Sequence, residues 1–265
     1  MCLILIAYRA HSAYPLVIAA NRDEAFARPA APAQFWEDHP DVYAGRDLEQ
    51  RGTWLGIALN GRFAAVTNFR REGPKKPAPR SRGELVSAYL TGRQDPRTYL
   101  EEARRRSSQY NGFSVLAGDL HALYFLSNHG NGVQRVTPGV HGLSNHLLNE
   151  PWPKVTRGVA ALGSWLDSRE SELVSRLFEL LADHTPVTDD RPAPAAAHPR
   201  RDRELSTFIL GEHYGTRAST VIIVHANGDV FFSERSFGPL GVPLGTTTNR
   251  FRLNMPVTAQ RRVKA

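Results

Sequence analysis

The sequence predicts one α+β domain in which antiparallel sheets pack against pairs of helices. Three observations support this class. Short strand-like runs recur in pairs around turn residues, as expected for hairpins. Segments with apolar residues at helical spacing lie between these pairs. Neither an internal repeat nor a linker divides the 265 residues, so we expect a single domain over 1–265.

The N-terminal part of the chain is predicted to form two hairpins. The aliphatic runs Leu3–Tyr8 and Leu16–Ala20 are joined by turn-compatible residues. The runs Gly52–Leu59 and Arg62–Asn68 form a second pair, and the Asn-Gly dipeptide between them is typical of a type I′ turn.

Two helices are predicted after these hairpins. Ser81 and Glu84 have the spacing of a capping box, which predicts a helix from about Arg82 to Leu90. Asp95 followed by proline is typical of an N-cap, and it predicts a second helix that extends to about Arg106.

The remaining elements follow from the same signals. Further strands are predicted at Phe113–Ala117, Ala122–Ser127, Val133–Thr137, Val140–Ser144, Arg217–His225 and Val230–Glu234. Further helices are predicted at Lys154–Leu166 and Glu170–Ala182. Three segments are predicted to be irregular: the basic loop Arg70–Gly83, a Pro/Ala/Arg-rich insertion at 185–203, and a basic tail from about Asn249.

Composition narrows the class of protein. Hydrophobic residues make up 41% of the chain, which is ample for a packed core. The single cysteine excludes an intramolecular disulfide and zinc sites of the CxxC type, and it fits a cytoplasmic location. No apolar run is long enough to span a membrane, and no secretory signal pattern precedes the first strand.

The net charge of +7 raises the question of nucleic-acid binding. The basic residues are dispersed along the chain, and neither RNP-type aromatic patterns nor zinc-finger spacings occur, so no nucleic-acid partner is expected. The 10 histidines form no HExxH or Cys/His zinc spacing, and no metal is expected either.

Cys2 is the first candidate for chemistry. An initiator Met is usually removed when the next side chain is small, and removal of Met1 would give Cys2 a free α-amine. The α-amine has a pKa near ~7.7–8.0 and a thiol near ~8.5, so one residue would carry a nucleophile and its own general base. The alternative is that Cys2 is a small buried hydrophobic residue without chemistry.

The polar run from Asn21 to Glu24 follows the second predicted strand. Loops at the ends of sheets often hold functional groups, and the hairpin would return this run to the side of Cys2. Asp23 would then accept a hydrogen bond from the α-amine and hold it in place. The alternative is a solvated turn held by local side-chain hydrogen bonds.

The basic loop directly follows Asn68 and contains Arg82. It could gate a pocket and attract an anionic ligand, such as a carboxylate, a phosphate or a haem propionate. A loop that simply faces water is the alternative.

An ordered set of short motifs extends this interpretation to nearly the whole chain. The motifs are Met1-Cys2, Asn21-Arg22-Asp23-Glu24, Gly52-Thr53-Trp54-Leu55-Gly56, Thr67-Asn68, Ser81-Arg82-Gly83-Glu84-Leu85, Gly142-Leu143-Ser144-Asn145, Pro151-Trp152-Pro153-Lys154 and Tyr214-Gly215-Thr216-Arg217. In this set the chain resembles the NRDE family, also called the transport and Golgi organisation family. That family is similar to the N-terminal nucleophile hydrolases of the penicillin V acylase and bile salt hydrolase group, which implies a four-layer αββα sandwich.

The resemblance also implies roles for individual residues. Cys2 would be the nucleophile, Asp23 would orient the amine, and Asn68 would donate to the oxyanion. Asn145 would orient the amine or the substrate, and Arg217 would support the nucleophile. Substrate contacts are expected from Asn21, Arg22 and Arg82.

One position departs from the hydrolase pattern. The hydrolases have an arginine immediately before their Asn-x-Asp, where this chain has Ala20. Arg22 lies two residues later, and on a strand it would point to the same side. This departure therefore bears on the expected hydrolytic activity and not on the expected fold.

Two functions from different classes follow from the sequence. The first is a Cys-dependent hydrolase that cleaves an amide or related acyl bond of a small molecule. The second is a non-catalytic protein that binds or transfers haem or a lipid such as acyl-CoA in the same pocket. No resident cofactor is expected, and haem would be a transported ligand. The sequence does not predict the oligomeric state.

Overall fold

Two antiparallel sheets and four α-helices form the fold of the residues that the computed structural model describes, which are 2–70, 78–168, 173–185 and 206–254. The strands in these ranges are β1 (Cys2–Tyr8), β2 (Leu16–Ala25), β3 (Ala30–Phe35), β4 (Val42–Asp47), β5 (Leu55–Ala58), β6 (Phe63–Asn68), β7 (Phe113–Gly118), β8 (Leu123–Ser127), β9 (Gln134–Arg135), β10 (Gly139–Leu143), β11 (Tyr214–Val224), β12 (Asp229–Phe237) and β13 (Pro243–Arg252). The α-helices are α1 (Gly83–Thr91), α2 (Pro96–Arg105), α3 (Pro153–Asp167) and α4 (Leu173–Leu181).

Sheet A, as we name it, has the strand order β10-β1-β2-β11-β12-β13. Sheet B has the order β3-β4-β5-β6-β7-β8-β9. The N-terminal hairpin therefore lies in the middle of sheet A, with β10 on one side and the C-terminal strands on the other. Residues from opposite ends of the chain are neighbours at this seam, such as Asn21 on β2 and Ser219 on β11.

Three hydrophobic cores separate four layers. The central core contains side chains of both sheets, for example Ile18 and Phe125. A second core joins α1 and α2 to sheet B, and a third joins α3 and α4 to sheet A. Side chains alternate along β1, so that Ile4 faces sheet B while Leu5 faces the helices. The predicted α+β class and its αββα layering are confirmed.

Three strands were not predicted from the sequence. Strand β3 reads Ala-Ala-Pro-Ala-Gln-Phe and has no apolar alternation, and β4 follows it as its partner. Strand β13 is largely exposed at the edge of sheet A, so it has no apolar face to reveal it. The tail predicted from Asn249 therefore begins inside a strand that ends at Arg252, and 255–265 lie outside the described residues.

The Asn-Gly turn has a different geometry from the predicted type I′ turn. The loop contains three residues, because the backbone N–H of Ala58 donates to Arg62 O (2.8 Å) and that of Gly61 donates to Ala58 O (2.9 Å). Gly61 has a φ of 83°, while Asn60 does not adopt the positive φ that a type I′ turn requires.

The two helix starts gave opposite outcomes. Asp95 accepts a hydrogen bond from Thr98 N (3.0 Å), as predicted for the N-cap of α2. The predicted capping box does not form at α1, whose N-cap is Arg82 without a side-chain hydrogen bond. Glu84 instead pairs with Arg80.

The chain crosses from sheet B to sheet A between β9 and β10. The strands predicted at Val133–Thr137 and Val140–Ser144 thus belong to different sheets, and the second delivers Ser144 to the start of β1. The part of the basic loop at 71–77, the start of the helix predicted at Glu170, and nearly all of the insertion at 185–203 lie outside the described residues. None of the helices described has the length and apolar character needed to cross a membrane.

Candidate functional site

Cys2 opens onto a cavity of about 270 Å³ at one end of the sandwich. Cys2 is partly buried as the first residue of β1, directly opposite Arg22 on β2. Asp23, Asn68 and Arg82 also line the cavity. The structure thus brings together five of the eight predicted site residues around one opening.

The polar run of β2 lies inside the strand and not in a loop after it. Strand β2 continues to Ala25, and Asn21, Arg22 and Asp23 are all buried. The alternative of a solvated turn is therefore wrong, whereas the expected position of the run beside Cys2 is confirmed by the pairing of Cys2 with Arg22. The run stays in the sheet because its side chains find buried hydrogen-bonding partners, which satisfies the usual requirement for polar groups removed from water.

Asp23 lies next to Cys2 on the buried side. Its Oδ1 accepts a hydrogen bond from Thr216 Oγ1 (2.6 Å), and its backbone oxygen accepts one from the Tyr214 hydroxyl (3.0 Å). Burial raises the pKa of the Asp23 carboxyl, and the nearby ammonium of Lys154, itself fully buried, acts in the opposite direction. Its backbone N–H is also placed to favour the thiolate form of Cys2.

Asn21 faces the helix layer and is committed to structural contacts. Its Nδ2 donates to Leu181 O (2.8 Å) and Thr207 O (2.8 Å), and its Oδ1 accepts from Ser219 Oγ (2.6 Å). Asn21 is not among the residues that line the 270 Å³ cavity. These contacts give Asn21 a structural position where the sequence predicted a substrate contact.

Arg22 faces sheet B and is only 7% exposed. Its guanidinium lies 4.2 Å from the ring centroid of Trp54, and its Nη2 is 3.8 Å from Asp47 Oδ2. Ala20 belongs to the central core against which Trp54 packs, so Ala20 and Arg22 share a face as expected from strand alternation. A cation is therefore present near the thiol despite the departure at Ala20.

The two other predicted asparagines are joined to each other. Asn145 is buried and donates from Nδ2 to the backbone oxygen of Asn68 (3.0 Å). Its neighbour Ser144 donates from Oγ to Cys2 O (3.0 Å). Asn68 thus remains on the cavity wall, while Asn145 stands behind it and fixes the end of β6.

Burial raises the pKa of the Cys2 thiol above its ordinary value. The negative charge of Asp23 adds to this rise, whereas the positive charge of Arg22 opposes it. A thiol with a raised pKa is mostly protonated at neutral pH, so nucleophilic attack requires a proton acceptor beside the sulfur atom.

Arg217 is not brought to Cys2. It occupies a β-bulge between Thr216 and Ala218, and its guanidinium donates to the backbone oxygens of Ala25 (3.3 Å) and Arg28. It does not line the cavity. Its predicted support of the nucleophile stays a prediction.

Sequence reasoning missed several residues of the cavity wall, and two of them contact its arginines. Asp47 lies at the end of β4, which has no clear strand signal, and it holds Arg28 (2.6 Å) as well as facing Arg22. Trp54 belongs to the motif Gly52-Thr53-Trp54-Leu55-Gly56, but that motif alone does not indicate that Trp54 stacks on an arginine. Across the described ranges, no group of three or more His, Cys, Asp or Glu residues could hold a metal ion.

The fold and the site together define a class of protein: an αββα sandwich in which a cysteine at the start of the first strand lines a cavity. The chain belongs to the Transport and Golgi organisation 2 family, whose model matches residues 1–239. The Transport and Golgi organization protein 2 homolog of Bos taurus is 37% identical, covering 96% of this chain and 99% of the relative. The human homolog is 33% identical, covering 89% and 93%.

Solved structures show a weaker likeness. Penicillin V acylase from Agrobacterium tumefaciens has a TM-score of 0.49 at 13% identity, covering 96% of this chain and 86% of the other. The C2A mutant of the conjugated bile acid hydrolase from Clostridium perfringens has a TM-score of 0.47 at 8% identity, covering 96% and 93%. Likeness at this level does not define an activity.

Proposed function

We propose that this protein is a Cys-dependent N-terminal nucleophile hydrolase that cleaves an amide or related acyl bond of a small molecule. The observation that carries the proposal is the position of Cys2. The chain's single thiol lies at the start of a central strand, beside a buried carboxyl and an arginine, and opens onto a cavity. Its single cysteine also fits the cytoplasmic location that we propose.

The proposed reaction begins after removal of Met1, which gives Cys2 an α-amine. The amine takes the thiol proton, and the sulfur forms a bond to the carbonyl carbon of the substrate. Asn68 Nδ2 is the expected donor to the oxyanion, a type of contact whose removal costs about 3–4 kcal/mol in other enzymes. The amine then protonates the leaving group, and the C–N or C–S bond breaks to leave a thioester on Cys2.

Deacylation uses the same groups in reverse. The α-amine takes a proton from a water molecule, which attacks the thioester carbonyl. The acid product leaves, and the thiol regains its proton. Asp23 holds the ammonium form of the amine, because a neighbouring carboxylate favours the charged form. Asn145 acts through Asn68, whose backbone oxygen it binds.

A second function has one observation in its favour. The raised pKa of the Cys2 thiol favours the unreactive form, which a binding protein tolerates and a hydrolase must overcome. Under this alternative the pocket binds haem or a lipid such as acyl-CoA without turnover. A cavity of about 270 Å³ would enclose only part of such a ligand, since pockets for drug-sized molecules span roughly 300–1,000 Å³.

Trapping of the acyl-enzyme tests the proposal. Purified protein would be incubated with short-chain acyl thioesters and acyl anilides, and its intact mass recorded over time. We expect a population without Met1 that gains the mass of one acyl group, and no gain in the Cys2→Ala variant. Cys2→Ser serves as a control that retains a weaker nucleophile in nearly the same shape.

The result that contradicts hydrolysis is equally plain. The test requires protein that lacks Met1 and whose Cys2 reacts with an alkylating agent. If such protein neither gains an acyl group nor releases product from any reagent, hydrolysis is contradicted and the binding function is supported. Equal turnover by the wild type and the Cys2→Ala variant would show that Cys2 is not the nucleophile.

A further inference from the structure

Several arginines line the cavity, and they differ in whether a carboxylate is paired with them. Arg28 is held by Asp47 (2.6 Å) and Glu49 (3.3 Å). Arg80 is paired with Glu84 on α1. These two guanidinium groups already have carboxylate partners, so neither is available to bind a ligand without breaking an ion pair.

Arg82 is different from its neighbours. Its guanidinium donates to Gly112 O (3.2 Å), and no carboxylate of the described residues lies within ion-pair distance of it. A guanidinium offers five N–H donors, so most of this capacity remains for another acceptor. Arg82 faces the same cavity as Cys2, and the two groups are close enough for a Cys2 thiolate to stabilise the Arg82 cation.

Burial makes this arrangement unusual. The side chain of Arg82 is partly buried, and this burial lowers its pKa from the ordinary value. Charges removed from water normally have a counter-charge, because desolvation is otherwise uncompensated. The Glu24 carboxylate favours the Arg82 cation from beyond ion-pair distance, and its Oε1 accepts from Ala25 N (2.9 Å).

We propose that Arg82 binds an anionic group, a carboxylate or a phosphate, on the acyl compound that reacts at Cys2. This proposal rests on the proposed function in taking Cys2 as the reacting centre. Planar bidentate contact with such oxyanions is the interaction for which guanidinium groups are best suited. The limited volume of the cavity places the anionic group close to the reacting carbonyl.

Alkylation of the single cysteine gives a direct test that needs no natural substrate. Iodoacetate and iodoacetamide have nearly the same shape and differ in charge. With either reagent the Cys2 thiolate forms a C–S bond, iodide leaves with the electrons of the C–I bond, and the thiol proton passes to solvent. Both labelling rates are proportional to the same fraction of Cys2 thiolate. Their ratio is therefore independent of that fraction and reports the effect of the reagent's charge.

The comparison uses the full chain, intact mass and about 150 mM salt, near physiological ionic strength. We expect the iodoacetate-to-iodoacetamide ratio for the protein to exceed that for mercaptoethanol by about two- to fivefold, the range for one exposed ion pair. Arg82→Gln should lower the ratio to that of mercaptoethanol, and Arg82→Lys should keep part of the preference. Arg80→Gln is the matched control, because Arg80 lines the same cavity but is already paired, and its ratio should stay high.

Two further arms identify the anion. Acetate and inorganic phosphate are added separately at constant ionic strength, and slower labelling by iodoacetate shows which of them occupies the site. A wild-type ratio equal to that of mercaptoethanol, equal ratios for Arg82→Gln and Arg80→Gln, or protection by neither anion would overturn the proposal.

The two proposals fail separately. Labelling requires a reachable thiol but no turnover, so an Arg82-dependent ratio without an acyl-enzyme would support the anion site and contradict hydrolysis. An acyl-enzyme that forms equally well from charged and neutral acyl thioesters, with a ratio unaffected by Arg82→Gln, would support hydrolysis and contradict the anion site.

Discussion

Neighbouring residues on β2 serve opposite faces of sheet A. Arg22 points into the sandwich and stacks on Trp54, while Asn21 and Asp23 point to the helix layer. One strand can therefore carry both a group that faces the Cys2 thiol and a group that holds the scaffold. The scaffold group, Asn21, satisfies the carbonyl of Leu181 at the end of α4, where helix carbonyls lack partners within the helix.

The cost of losing Asn21 should be large. Asn21→Ala would leave two buried carbonyls and the Ser219 hydroxyl without their partner, and we expect a fall of about 2–4 kcal/mol in the free energy of unfolding. Ser219→Ala removes only one of the three contacts and should cost about 1 kcal/mol. Urea unfolding measures both variants, and equal losses would contradict the structural position given to Asn21.

Helix α3 shows how closely one element fits its neighbours. Gly158 faces β1, where an added Cβ would lie 2.7 Å from Leu5 Cδ2. Gly163 lies on the same helix, and an added Cβ there would meet nothing within 4 Å. Close approach to sheet A therefore requires glycine at the first position and not at the second.

This contrast predicts opposite signs for two alanine substitutions. Gly163→Ala should raise the free energy of unfolding by up to about 1 kcal/mol, because alanine favours the helix. Gly158→Ala should lower it by about 1–3 kcal/mol, because the helix must move away from Leu5. Thermal and urea unfolding of the two variants check the prediction, and a gain in stability for Gly158→Ala would contradict the packing described here.

The elements with strong periodicity were predictable, and the rest were not for identifiable reasons. The first hairpin and α3 carry apolar patterns set by the cores they face. Strand β13 has little apolar burial, so its sequence carries no such pattern. Cys2 and Asp23 could be found because their chemistry is visible in their position along the chain. Asp47 could not, since its role depends on a fold that places Arg28 and Arg22 beside it.

The two sheets are also connected by a buried carboxyl. Glu234 on β12 accepts hydrogen bonds from Ala33 N on β3 (2.9 Å) and from Thr220 Oγ1 (3.0 Å). The register of β3 against β4 is irregular between Ala31 and Gln34, and Glu234 satisfies the N–H that this irregularity leaves. A single side chain of sheet A thus supports a bulge in sheet B.

The Glu234 carboxyl should lower the free energy of unfolding as pH rises. Burial raises the pKa of Glu234 above its ordinary value of 4.5, so the folded protein binds this proton more tightly than the unfolded chain. Stability from this group is therefore full at pH values below the unfolded pKa and is lost as pH rises through the folded pKa. Glu234→Gln carries no charge, and its Oε1 can accept from Ala33 N while its Nε2 donates to Thr220 Oγ1, so we expect it to be the more stable protein at pH 7.

Urea unfolding of the wild type and Glu234→Gln at pH 4.5, 5.5 and 7 measures this difference. The advantage of the variant should shrink as the pH approaches 4.5. A difference between wild type and Glu234→Gln that stays constant with pH would contradict the prediction.

The position of the N-terminal hairpin in the middle of sheet A has a consequence for synthesis. Cys2 leaves the ribosome first, but Ser144, which binds its carbonyl, follows 142 residues later. At about 5–20 residues per second, roughly 7 to 28 seconds separate the two. The nascent chain thus presents its N-terminal strand before the partners of that strand exist, and the removal of Met1 that the proposed function requires would take place during this interval. The order of translation, and not an opening of the finished protein, would give a methionine aminopeptidase access to the residue that precedes Cys2.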